Sequence, residues 1–228
     1  NGQRRIKIAS GDMNNPFLLQ VAAEADCDVI MSSGMATITE VEKSIEFMLE
    51  KGLALSKLTI LHCTSSYPAP MRSLNLLTIS DWGRKIGCKI GFSDHSEGEL
   101  ASIAAVALGA NVIEKHVTYD RQADGPDHKA SMEIENFVSF VDNLRSILPA
   151  LNLKEGGAGF LEKENRINVR RSIVAKNYIH PGEQFTEDNI DFKRPGDGIN
   201  PMKFELLVGL MSKRAYEIDE QIDEKEIR

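Results

Sequence analysis

The chain has 228 residues, 42% of them hydrophobic and 27% charged, the make-up of an ordinary globule with one large domain or a medium domain plus a small one. Its formal net charge of -7 argues against a nucleic-acid or anionic-membrane surface, because such surfaces need clustered Lys and Arg to displace counterions. Cys27, Cys63 and Cys88 form no CxxC pair, no run of eighteen apolar residues occurs, and no basic-then-apolar leader is present; a reducing cytoplasm is expected, without membrane span or secretion signal.

Short runs rich in Ile, Val and Leu recur along the first two thirds: 6–9 (IKIA), 27–32 (CDVIMS), 57–62 (KLTILH), 88–93 (CKIGFS) and 111–116 (NVIEKH). Helical periodicity fills the gaps. In TITEVEKSIEFMLEKG the residues Ile38, Val41, Ile45, Met48 and Leu49 fall on one face, and Gly52 supplies a stop. Strand starts roughly 20 to 30 residues apart match βα units of a parallel sheet. A doubly wound sheet or part of a (β/α)₈ barrel would fit. Each strand ends in a polar cluster and no GxGxxG or Walker loop follows any of them, so the barrel is favoured. The fold class expected is α/β, a partial TIM barrel holding about strands 4–8, with three strands missing upstream. The chain starts without Met, as a piece of something longer would.

Residues 1–148 are assigned to this barrel portion, 149–165 to a charged, Gly-bearing linker that includes a flexible Gly156–Gly159 connection, and 166–228 to a small module. The module's alternating segments, its HPGEQ and PGDG turns and one short helix in NPMKFELL read as mostly β, too small for a deep pocket of its own.

In a barrel, side chains at the C-terminal strand ends converge on the active site. His95 and His116 end consecutive strands, about 4.8 Å apart if those strands are neighbours. Alternation puts Ser93 with His95, and Glu114 with His116, each pair on one face. Two imidazoles near a carboxylate suit a divalent metal with open positions; two unrelated, satisfied histidines are the alternative. His62 also ends a strand and on spacing is a possible third ligand. His128 and His180 lie in loop-like sequence. Lys7 and Ser10 close the first strand, where an inward lysine would be costly without an anion such as phosphate or carboxylate; a solvated terminal lysine is the competing reading. The SGD and SSGM turns offer hydroxyls and N–H groups to phosphate oxygens.

KIASGD, SSGM, LHCTSSYP, GFSDH, VIEKH, DGPDHKASM and KRPGDG, in this order, resemble the N-acetylneuraminate (sialic acid) synthase family and its legionaminate synthase relatives, over essentially the whole chain. The part from about Arg166 resembles the family's SAF, or antifreeze-like, domain. The resemblance implies condensation of phosphoenolpyruvate with an N-acetylmannosamine-type aldehyde sugar, releasing phosphate, with Mn²⁺ or else Mg²⁺ or Co²⁺ as cofactor. It implies His95 and His116 as metal ligands and Lys7, Ser10 and Ser93 as phosphoenolpyruvate contacts. Ser65 stands where some relatives carry asparagine. Asp12, Tyr67 and Asp127 resemble sugar contacts, and Arg194 the SAF-domain arginine that reaches a partner subunit's site in a homodimer with exchanged SAF domains. Glu114 or Asp12 would then steady cationic character at the phosphate-bearing carbon. The first three barrel strands of the family have no counterpart here, so the 228 residues alone are expected to be inactive. The acceptor stays open between sialic and legionaminic acid precursors.

Two readings from other classes compete. A metal-dependent hydrolase on the same barrel would gather His62, His95 and His116 about a metal-bound hydroxide. A non-catalytic binding protein would rest on the antifreeze-like part, although ice binding wants a flat, weakly charged surface and this segment carries KRPGDG and DEQIDEKEIR.

Overall fold

The computed structural model describes residues 4–151 and 160–227, which divide into two compact units, 1–152 and 153–228. The first is built from β1 (Arg5–Ile8), α1 (Pro16–Glu24), β2 (Asp28–Ser32), α2 (Ile38–Glu50), β3 (Leu58–Cys63), α3 (Leu77–Ile86), β4 (Lys89–Asp94), α4 (Leu100–Ala107) and β5 (Ile113–Lys115). The five strands form one parallel sheet in the order β1-β2-β3-β4-β5. Strand order that follows chain order without a reversal is barrel geometry; a doubly wound sheet reverses at its switch point. The curl shows in a single contact. β1 and β5 are opposite edges, about 19 Å apart were the sheet flat, yet Lys7 Nζ stands 3.5 Å from Glu114 Oε2. The sheet is half of a barrel, with its side chains converging on the concave side.

Local chemistry sets the helix ends. Asn15 caps α1 by accepting the Leu18 N–H, with Pro16 in the first turn, where its missing N–H costs nothing. Thr37 and Glu40 form a reciprocal capping box on α2, and Gly52, with φ of 100°, turns the chain out of it. Val41, Ile45 and Met48 are buried as the periodicity requires, but Leu49 is 38% exposed. Ser44 takes the inner position instead, donating to the Met13 carbonyl at 2.9 Å.

Ile8, Val29, Met31, Leu58, Ile60, Ile90 and Phe92 form the core between sheet and helices. By alternation Lys7, Ile30, Ser32, Leu61, Cys63, Ser93 and Glu114 face the concave side. β6 (Val117–Thr118) and β7 (Met132–Glu133) add a short parallel pair ahead of α5 (Ile134–Ile147).

The second unit opens with α6 (Phe160–Val169), inside the stretch expected to be a linker and running past the expected module start at Arg166. FLEKENRINV holds neither Gly nor Pro and is rich in helix formers, which explains the difference. Gly156–Gly159 lie outside the described residues. β8 (Ser172–Ala175) and β9 (Ile190–Lys193) pair antiparallel around Ile173, Ile179, Phe185, Ile199, Leu207 and Tyr216. Among the described residues no helix is long and apolar enough to cross a membrane.

Candidate active site

Three groups of side chains meet at the C-terminal ends of β1 to β5. The first is a relay of charges and hydroxyls. Lys7 lies beside Glu114, and the other Glu114 oxygen accepts a 2.7 Å hydrogen bond from Ser93 Oγ. Ser93 is the register partner of Glu114 on the adjacent strand, and its hydroxyl is 3.3 Å from His95 Nε2. Lys7, Glu114, Ser93 and His95 are therefore contiguous. Both Lys7 and Glu114 keep about a third of their side chains accessible, so a bound anion can compete for the ammonium group.

The second group is a hydroxyl cradle. The Gly34 N–H donates to Ser10 Oγ at 2.9 Å, and Ser10 Oγ is 3.3 Å from Cys63 Sγ. A Cβ on Gly34 would lie 2.3 Å from Ser65 Oγ, 2.8 Å from Ser10 Oγ and 3.0 Å from Cys63 Sγ. Only glycine leaves this recess open, and its lining of hydroxyls and one N–H suits oxyanion oxygens.

The third group is aromatic. The His95 and His116 rings stand perpendicular with centroids 5.4 Å apart, one residue beyond β4 and β5 respectively. Tyr67 packs against both, at 4.3 Å and 5.5 Å. His95 Nδ1 is 2.8 Å from the Thr64 carbonyl, which can only accept; Nδ1 carries the proton and Nε2 keeps its lone pair toward the concave side. Burial, aided by the neighbouring His116, pushes the His95 pKa below the usual histidine value against the pull of the Thr64 bond, holding the ring neutral. His116 Nδ1 is 3.9 Å from Asp127 Oδ2.

Lys7, Ser10, Ser65, Tyr67, Ser93, Glu114, His95, His116 and Asp127 are thus drawn to one rim. Asp12 is exposed in the 3₁₀ turn Ser10–Asp12 that follows β1, and its carboxylate has no ion pair or hydrogen bond among the described residues. Arg194 is exposed in the loop after β9, in the other unit. His62 is excluded as a third ligand. It occupies the opposite parity to Cys63, facing the helices, where Nε2 donates to the Leu74 carbonyl at 2.6 Å and the ring packs between Trp82 and Phe92. His128 is bonded to Thr118 at 2.7 Å.

The structure adds residues that motif reading passed over. Ser32, 3% exposed and on the concave parity of β2, has a hydroxyl with no hydrogen-bond partner among the described residues, a polar orphan that is costly unless a ligand or water meets it. The SSGM string already held both Ser32 and Gly34, but only the fold separates their roles.

A family model described as the NeuB family matches residues 2–155, and one described as the SAF domain matches residues 170–228. The chain is 39% identical over 223 residues to an N,N'-diacetyllegionaminic acid synthase of Campylobacter jejuni, covering 98% of this chain and 67% of that protein. Among solved structures it is similar to a spore coat polysaccharide biosynthesis protein E from Chromobacterium violaceum (TM-score 0.73, 29% identity, 97% of this chain and 67% of that one). It is also similar to an N-acetylneuraminic acid synthetase from Leptospira borgpetersenii solved with citrate (TM-score 0.67, 35% identity, 72% of this chain and 56% of that one).

Proposed function

Because the chain belongs to the NeuB family and ends in a SAF domain, we propose that it condenses phosphoenolpyruvate with a 2-acetamido aldehyde sugar, of N-acetylmannosamine type or its legionaminic counterpart, to a nonulosonic acid and phosphate. The observation that carries this reading is the meeting of Lys7 and Glu114 from opposite sheet edges beside Ser93 and His95. It puts one ammonium group, which would meet a phosphate, next to one carboxylate, which would meet developing positive charge.

Lys7, Ser10 and Ser65 would hold the phosphate, with the Gly34 N–H orienting Ser10 Oγ and charge-assisted bonds the strongest among them. The enol carbon C3 of phosphoenolpyruvate bonds to the aldehyde carbon, and its C2 becomes electron-poor. Glu114, oriented by Ser93, would stabilise that charge. Water then adds at C2, and phosphate leaves with cleavage of the C2–O bond. Tyr67 and Asp127, which lie beside the two imidazoles, would contact the sugar.

His95 Nε2 and the His116 ring fit a divalent ion, Mn²⁺ before Mg²⁺ or Co²⁺, that keeps positions for water and substrate oxygens. Among the described residues no group of three or more His, Cys, Asp or Glu converges to hold a metal by itself. When bound, such an ion supplies Lewis acidity toward the aldehyde oxygen. Water exclusion over the open half-barrel, and a second subunit's Arg194 on the N-acyl group, would come from a homodimer with exchanged SAF domains. Three free thiols suit a reducing cytoplasm.

The test is phosphate release measured in protein that carries the upstream barrel strands as well as these 228 residues, with each substrate alone and with both, across a panel of 2-acetamido aldehyde sugars. Release that needs phosphoenolpyruvate and one sugar together is expected. Release from a substrate without phosphoenolpyruvate, or none across the panel, would overturn the assignment.

A further inference from the structure

A buried ion pair lies beside the two histidines, on the face of the sheet opposite the concave pocket. Asp94 and Lys115 are register partners on β4 and β5, each immediately preceding one of the histidines. Alternation turns them away from the concave side, onto the face opposite the Ser93–Glu114 rung. Their side chains are 0% and 3% exposed, and Lys115 Nζ donates to Asp94 Oδ2 at 3.0 Å. Asp94 accepts three further bonds: the Ser96 N–H at 2.8 Å and the Ser96 hydroxyl at 2.6 Å on Oδ1, and the Ser102 hydroxyl at 2.6 Å on Oδ2. Four donors fill the capacity of a carboxylate. Lys115 Nζ also donates to the Ser96 carbonyl at 2.8 Å.

His95 is therefore bracketed. The residue before it and the residue after it are tied to each other by an Asx turn, and both are tied to Lys115, the neighbour of His116. We propose that the Asp94–Lys115 pair with Ser96 and Ser102 is a positioning device that sets the spacing and orientation of the His95 and His116 rings. The energetics favour this over a purely stabilising role. A buried ion pair is a weak source of stability, since an apolar pair of similar volume does as well, whereas its directional bonds fix register. Here they act on the last register pair of β4 and β5, immediately before the two histidines, where the ladder between these strands ends. The deduction rests on His95 and His116 being the working pair of the proposed site.

The test uses Asp94→Asn/Lys115→Met, which removes both charges while Asn keeps an acceptor for Ser96, and the milder Ser102→Ala. Mn²⁺ affinity is read by titration calorimetry, ring signals of His95, His116 and His128 by NMR without metal, and folding by thermal unfolding. The double variant should unfold cooperatively, lose about tenfold to a hundredfold in Mn²⁺ affinity, and show broadened or doubled ring signals for His95 and His116 but not for His128. Ser102→Ala should shift both readouts in the same direction by less. Lys115→Arg, which keeps the pair, should recover most of the affinity. A folded double variant, or a folded Ser102→Ala protein should the double variant not fold, with unchanged affinity and unchanged ring signals would overturn the proposal. Wild-type protein that binds no Mn²⁺, while the variants still disturb both rings, would remove the metal reading and leave the positioning role standing.

Discussion

Replacing Gly34 by alanine puts one methyl group into the hydroxyl cradle. The new carbon would sit 2.3 Å from Ser65 Oγ and 2.8 Å from Ser10 Oγ, so both hydroxyls must rotate away. The fold should absorb this. Gly34 is not among the positive-φ glycines, so alanine fits the backbone and gains about 0.4–1 kcal/mol by stiffening the unfolded chain. The Ser10 bond to the Gly34 N–H, worth about 1 kcal/mol, is the main loss. Net stability should change by about 1 kcal/mol or less. Anion binding should suffer far more. Two hydroxyl contacts to a charged phosphate, at about 1.5–3 kcal/mol each, amount to about 3–6 kcal/mol, which weakens binding by about 10² to 10⁴. Phosphoenolpyruvate affinity by calorimetry, with thermal unfolding of the same samples, checks both halves. A Gly34→Ala protein that binds phosphoenolpyruvate within about threefold of wild type would refute the cradle, because no filled recess loses so little.

In protein that carries the upstream barrel strands, Lys7→Met should raise KM for phosphoenolpyruvate much more than KM for the sugar if the ammonium holds the phosphate as proposed; steady-state kinetics with equal effects on both substrates would contradict that role. His62 is held neutral by burial, with its pKa below the ordinary 6.5, so the unfolded chain binds more protons there. Its contribution to stability is full above pH 6.5 and is lost as pH falls from there through the lower folded pKa, and urea midpoints of His62→Gln should fall less steeply over that window than those of wild type. With the upstream barrel strands present, chains carrying Arg194→Ala and His95→Ala should be nearly inactive separately and recover activity when co-expressed, if the SAF domain serves a neighbouring subunit; heterodimers that form without recovered activity would place the arginine's action within its own chain.

Much of this was legible in the residue string because the signals were local. Alternation of apolar runs with helical segments marked the βα units, and Gly52 marked the end of α2. The histidines at the ends of two consecutive runs marked the rim. Parity within a strand was legible only where one face is polar. Throughout β3, LTILHC is buried on both faces, so no alternation in hydrophobicity told whether His62 or Cys63 looked into the mouth, and His62 stayed a candidate until packing against Trp82 and Phe92 decided it. The same reason hid Asp94 and Lys115, whose charges suggested solvent and whose partnership exists only across neighbouring strands.

The amino-acid sequence by itself determined which side chains reach the strand ends, because strand period and strand length are local properties of the chain. The tertiary structure alone decided which of them meet. Lys7 and Glu114 are 107 positions apart and belong to opposite edges of the sheet; they touch because four successive strand pairings each add twist and curl, a quantity summed over the whole sheet and written in no single segment.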